Sequence, residues 1–287
     1  MNHWTKLPVK QLVVLSLITT LTLISAEAKP SHYKITFGQS LMSFDSSLYL
    51  QSEDFSRDDF VDFESNLNFD KKVNLSMLKL ESEFMPNHKF SLTFLPISRR
   101  AIGGLTKDFS FNQQTYEIGS QIDSQLDVNG FDFEYTYVFY HRGNWSLEAL
   151  TGLYWVNTKF NLDVSAYIQS DEEKISGKGH YRGTSNTSLP IPLFGLGAEY
   201  RLSDRSKLLG SFRYFESSNN GNEGYTTSSL VALEFDLARN WGIGVSYSFF
   251  NATFRIEKDL LKDVNSHISS GIQWEYQGTN LYFYANF

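Results

Sequence analysis

Asn280-Leu281-Tyr282-Phe283-Tyr284-Ala285-Asn286-Phe287 alternates apolar and polar residues and ends on phenylalanine. Leu281, Phe283, Ala285 and Phe287 fall on one face, and Tyr282, Tyr284 and Asn286 on the other. That is the period-two pattern of a strand with one apolar side. A strand that stops at a chain terminus leaves an exposed edge unless it has a neighbour on each side. A closed antiparallel barrel supplies both neighbours.

The same alternation runs back through the chain. Leu78, Leu80 and Phe84 alternate against Lys79, Glu81 and Glu83, and Phe131, Phe133, Tyr135, Tyr137 and Phe139 against Asp132, Glu134 and Thr136. Val231, Leu233, Phe235 and Leu237 lead through a turn to Trp241, Ile243, Val245, Tyr247 and Phe249. Met42, Phe44, Leu48 and Leu50 alternate against Ser43, Asp45 and Ser47. Tight turns near 86, 142, 204 and 239 alternate with longer polar segments, roughly 52–71, 101–115, 157–187, 217–226 and 255–266.

These features predict an all-β chain: a single antiparallel transmembrane β-barrel of about ten strands, eight or twelve being the alternatives, with short periplasmic turns and long extracellular loops. Ten strands require Ile268 to Phe287 to form one strand, although Trp274 and Tyr276 lie in the opposite phase to Phe283 and Phe287. A bulge at Gly278 would reconcile the phases. A hairpin there, with Tyr33–Phe37 recruited, would make twelve. A secreted β-sandwich is the rival architecture, and it would scatter its loops over both ends.

Lys6 and Lys10 precede an apolar run from Leu12 to Ile24, followed by Ala26-Glu27-Ala28. This reads as a secretory signal peptide over residues 1–28, leaving 29–287 as the barrel. The run is too short for a spanning helix, which needs roughly 20 apolar residues. The mean hydropathy of −0.30 suits a barrel strand that shows lipid only at every second residue. Aromatics are 16% of the chain, which suits interfacial girdles, and there is no cysteine for disulfides or thiolate metal sites. A net charge of −7 argues against a nucleic-acid partner.

The alternating terminal strand with its final Phe287 resembles the closing strand of Gram-negative outer-membrane β-barrel proteins. The resemblance is architectural and covers the chain from about residue 38. It implies residence in the cell outer membrane, with outer-membrane lipid and lipopolysaccharide as surroundings. It also implies that barrel-assembly machinery reads the Phe287 end.

The polar phase of the strands is expected to face the lumen. It contains Asp45, Glu81, Glu83, Asp132, Glu134, Glu148, Glu199, Glu234, Asp236 and Glu275, joined by Lys79, Arg201 and Arg213. Paired, these charges make a hydrogen-bonded filling of a small barrel. Unpaired, the carboxylates make a narrow cation-preferring pore. The expected function is therefore an integral barrel with an acidic, charge-paired lumen, serving as a narrow channel or as a structural or surface-interaction protein. In this register Phe133, Tyr135, Leu233, Phe235, Val245 and Tyr247 face lipid. An arginine at Leu233 should then be costly, and one at Glu234 far milder.

Enzymatic motifs are sparse. Omptin-like proteases use an Asp-x-His, and the sequence has none. His267-Ile268-Ser269-Ser270-Gly271 resembles the His-x-Ser-Asn-Gly of outer-membrane phospholipase A, with Ser270 where that family has Asn. A lipid-directed hydrolase built on His267 and Ser269 is the alternative function. With Trp274 and Tyr276 taken as lipid-facing, both residues would point inward, away from a lipid substrate. Asp54, Asp58, Asp59 and Asp62 give the first long segment an acidic character suited to Ca²⁺ or Mg²⁺. No cofactor is implied. Residues 255–264 read as a short loop helix.

Overall fold

The computed structural model describes residues 33–52, 59–104, 109–111, 114–116, 119–168, 177–219, 222–259 and 267–287. The predicted signal segment, Asp54 and Asp58 lie outside them. Ten long strands form one closed antiparallel barrel. They are β1 (Tyr33–Ser52), β2 (Lys72–Met85), β3 (His88–Gly104), β4 (Gln121–Arg142) and β5 (Trp145–Ile168). The second half is β6 (Gly177–Ser203), β7 (Ser206–Asn219), β8 (Asn222–Asp236), β9 (Trp241–Asp259) and β10 (His267–Asn286).

Closure comes from β1 and β10, paired without interruption from Lys34 opposite Asn286 to Ser52 opposite Ile268. Tyr33–Phe37 is therefore the start of the first strand and not an extra one. Short turns connect strands at one end. Asn87 (φ 67°) and Gly143 (φ 60°) take the left-handed conformation there, which asparagine and glycine adopt most readily.

The outer face is apolar because lipid offers no hydrogen bonds. Phe37, Leu80, Phe84, Leu196, Phe212, Val231, Leu233, Phe235, Val245, Tyr247, Leu281 and Phe283 are all exposed, while Phe133 and Tyr135 are partly covered by neighbours on the same face.

Two expectations need correction in the half of the barrel far from the short turns. No bulge occurs at Gly278, because the ladders on both sides of β10 run through it in one register. Trp274, Tyr276, Tyr282 and Tyr284 are all buried, on one inward face. Likewise Met42 and Phe44 are buried and Asp45 is exposed. The reason is that the outer face meets water there, so large apolar side chains gain more by turning inward.

The long polar segments are also shorter than expected. Much of 157–187 is strand, and 255–259 extends β9 where a helix was predicted. The wall is consequently uneven: β6 has 27 residues and β7 only 14. Between β2 and β3 the ladder stops at Leu78 opposite Phe94. Beyond it, among the described residues, Lys72–Met77 pairs only with β1 and Leu95–Gly104 only with β4. Pro96, which has no N–H to donate, stands just past the last rung.

Behind this gap the chain folds into the barrel. A short strand, Asp59–Asp62, pairs with Ser47–Leu50 of β1. The following turn carries Phe63, Leu67 and Phe69 into the interior, each at most 6% exposed.

Candidate functional site

The barrel interior has two layers. The layer near the short turns is charged. Inward positions on eight strands bring Lys34, Lys79, Lys89, Lys207 and Arg213 together with Glu81, Asp132, Glu134, Glu148, Glu199 and Glu234, around a cavity of about 260 Å³. Five cations thus meet six carboxylates, so the layer is charge-paired with a slight excess of carboxylate.

The pairing is dense. Arg213 donates to Asp132 through Nη1 at 2.9 Å and Nη2 at 2.6 Å, and its Nη1 lies 2.9 Å from Glu134. Such a bidentate guanidinium–carboxylate pair is among the strongest hydrogen-bonded arrangements. Lys34 Nζ donates to both Glu234 oxygens at 2.6 and 2.7 Å, and Tyr282 Oη donates to the same carboxylate at 3.2 Å. Lys89 reaches Glu148 at 2.9 Å, Lys79 reaches Glu81 at 3.2 Å, and Lys207 lies between Glu199 and Glu234. Ion pairing on this scale is what makes burial of so many charges tolerable.

Lys34, Lys89 and Lys207 were not singled out from the sequence. Lys89 and Lys207 stand in the phase opposite Phe90 and Leu208, and that parity was enough to place them inside. Of the expected lumen charges, Glu83 and Arg201 are exposed near the turns. Asp236 accepts from Tyr284 Oη at 2.6 Å. Asp45 and Glu275 sit opposite each other in the β1–β10 ladder, in the outward phase, and Glu275 accepts from Asn251 at 3.0 Å. They are corrections to the expected set, with the same cause as the burial of Phe44 and Trp274.

Inward tyrosines close the turn end against glycines. A Cβ on Gly244 would lie 2.2 Å from the Tyr282 ring, and one on Gly242 2.1 Å from Tyr284. The absent side chains leave the space those rings occupy.

The second layer is aromatic. Phe44, Phe63, Phe69, Tyr154, Phe250, Trp274 and Tyr276 are packed with Ile97, Leu126 and Val128 into one buried cluster. Phe63 stacks on Phe160 at 5.6 Å, and Phe250 on Tyr276 at 5.0 Å. Arg99, 4% exposed, sits in the middle. It donates to Glu64 Oε1 at 2.6 Å, Asp70 O at 2.8 Å and Ser46 Oγ at 3.0 Å. Its guanidinium carbon lies 4.8 Å from the Phe44 ring centre and 5.1 Å from that of Phe69. Sequence reading missed Arg99 because its partners, on β1 and in the turn at 62–71, meet only through the fold.

Asp45, Asp62 and Glu64 place one carboxylate oxygen each within 4.8 Å of one another, so Asp62 of the acidic segment does join a potential cation-binding group. Glu64, however, is already engaged by Arg99 and by Ser46 N at 2.9 Å. The side chain of Asp59 lies outside the described residues, as do those of His267 and Ser269. Their backbones pair with Asp259 and Glu257 on β9. Trp274 is buried and not lipid-facing, so its phase no longer points His267 and Ser269 inward.

Above the apolar band, the outer wall carries polar side chains. Arg100 donates to both oxygens of Asp123, at 2.9 and 2.5 Å, and these hydrogen bonds hold the carboxyl below the usual range.

No protein-family model matches this chain, and no curated protein sequence matches it. Among solved structures it is similar to the outer membrane protease OmpT from Escherichia coli, with 14% identity and a TM-score of 0.57, over 92% of this chain and 99% of that one. The Pseudomonas putida toluene transporter TodX aligns at 10% identity and a TM-score of 0.37, over 93% of each chain. The translocator domain of the autotransporter NalP from Neisseria meningitidis aligns at 7% identity and 0.35, over 97% and 96%. The last two are too loose to carry an argument. The fold is that of an outer-membrane β-barrel.

Proposed function

We propose that this protein resides in the bacterial outer membrane as a closed barrel, with a structural or surface-interaction role and no solute channel. The observation that carries this reading is the filled interior. A channel needs a continuous wet path with binding weak enough to release its ions. The buried aromatic layer around Arg99 at one level, and the dense ion pairing at the next, support a closed path. The cavity that the charged side chains line is about 260 Å³, small beside the ~300–1,000 Å³ typical of ligand pockets.

The test is electrical. Purified barrel in a planar lipid bilayer should pass no steady ohmic current. A reproducible single-channel conductance in the wild-type protein would overturn the reading. Outer-membrane residence is checked by fractionation and heat-modifiable migration of the band.

A further inference from the structure

The outer wall of β4, β5 and β6 changes chemistry across one rung. Phe131, Trp155 and Pro190 lie side by side in the ladders. One rung further from the short turns, the same face presents Asn129, Asn157 and Ser188, and the next presents Asp127, Lys159 and Asn186. These six side chains line a shallow outward-facing cavity of about 310 Å³.

The lower rung is pre-ordered. Trp155 Nε1 donates to Ser188 Oγ at 2.7 Å and to Asn157 Oδ1 at 3.2 Å, and Ser188 Oγ donates to Asn157 Oδ1 at 2.8 Å. The Asp127 carboxylate is occupied by Ser98 Oγ at 2.6 Å and Gln125 Nε2 at 2.8 Å. Lys159 stands opposite Asp127 in the ladder, and among the described residues it has no ion-pair partner within 4.0 Å. Three carboxamides, a hydroxyl, a carboxylate and an ammonium are thus presented together.

Position decides what can reach them. Trp155, 41% exposed, stands at the upper border of the apolar band, the depth at which barrels carry interfacial aromatics. The cavity starts one rung above, at headgroup depth, and opens sideways into the membrane. An acyl chain would leave the carboxamides unsatisfied. A bare phosphate would be expected to find a cluster of cations, and only one is present. A sugar ring matches: its hydroxyls both donate and accept, and so do carboxamides.

We propose that the cavity formed by Asn129, Asn157, Lys159, Asn186 and Ser188 binds the saccharide headgroup of a glycolipid in the outer leaflet. This inference rests on the outer-membrane placement proposed above.

The test uses full-length barrel refolded into phosphatidylcholine vesicles with and without lipopolysaccharide, extracted in mild detergent and assayed for retained glycolipid. The variant carries Asn157→Leu, Lys159→Leu and Asn186→Leu. A control carries Asn74→Leu and Ser76→Leu, exposed positions on β2. Wild type and control should retain glycolipid, and the triple variant roughly tenfold less, the scale of losing one charged hydrogen bond. Equal retention by all three, or equal loss in variant and control, overturns the site. Heat-modifiability is read on every sample. A barrel that is heat-modifiable but shows no site-dependent retention defeats this inference alone. A wild-type protein that is not heat-modifiable defeats the membrane-barrel reading, and this inference with it.

Discussion

Arg99 Nη2 and Glu64 Oε1 stand 2.6 Å apart inside the barrel and tie the turn after Asp59–Asp62 to the wall. Glu64 belongs to a segment with few ladder hydrogen bonds of its own, so this pair carries much of its attachment. Breaking a buried pair by removing one partner leaves an uncompensated charge and costs ~3–5 kcal/mol. Arg99→Ala should lower the urea midpoint of the barrel in vesicles and make current events appear in a bilayer. The Arg99→Ala, Glu64→Ala cycle should show a favourable coupling. An additive cycle and a silent Arg99→Ala would mean that the turn is held by its phenylalanines alone.

Leu233 and Glu234 are neighbours on β8 that face opposite environments. Leu233 is 43% exposed on the lipid side, and an arginine there should cost ~2–4 kcal/mol at mid-depth. The expectation of a mild Glu234→Arg does not survive the structure. Glu234 is 4% exposed and serves both Lys34 and Lys207, so an arginine would put three cations together. Both arginine variants should therefore reduce folded barrel strongly in urea titrations. Glu234→Gln should fall between them and wild type. A wild-type midpoint for Leu233→Arg would sink the register.

Much of the fold was legible because lipid makes one face uniformly apolar wherever it touches the strands. Phe131 to Tyr137 and Val231 to Leu237 therefore declared their outward phase. The rule that large and apolar means outward holds only inside the membrane. In β1 the apolar face changes between Leu41, exposed, and Met42, buried, with no break in the strand. In β10 the change falls between Tyr276 and Leu281, and it read as a bulge. Asp45 and Glu275 stand in the same phase as Leu41 and Leu281, and charges in that phase were the available signal of an aqueous outer face. The Arg99 site was not legible, because its partners on β1 and in the turn at 62–71 meet only through the fold.

Gly244 leaves the space that the Tyr282 ring fills while its hydroxyl reaches Glu234. Gly244→Ala should push that ring aside and cost ~1–3 kcal/mol, as overpacking does. The loss should shrink in a Tyr282→Ala background, where the space is free. Thermal unfolding of the four proteins measures this. An equal effect of Gly244→Ala in both backgrounds would mean that backbone strain, not the ring, sets the cost.

The seam is fastened at its end by backbone bonds. Phe287 N donates to Tyr33 O at 2.9 Å, Tyr33 N to Phe287 O at 3.2 Å, and Asn286 N to Asn240 O at 2.9 Å. Asn240 Nδ2 also donates to Asn286 O at 2.9 Å. Deleting Asn286 and Phe287 removes these partners from Tyr33 and Asn240 together. Backbone groups left unsatisfied toward hydrocarbon cost several kcal/mol each, and here they lie where β1 meets the closing strand. Phe283 and Leu281, each 61% exposed to lipid, would remain but on a frayed strand end. The truncated chain should therefore accumulate less folded barrel in the outer membrane, with the remainder in the periplasm. His267→Ala and Ser269→Ala, far along β10 from this end, should leave the amount unchanged. Heat-modifiability of outer-membrane fractions from wild type and the three variants is the readout. A truncated chain that inserts as well as wild type would mean that closure does not depend on the last rungs of β10.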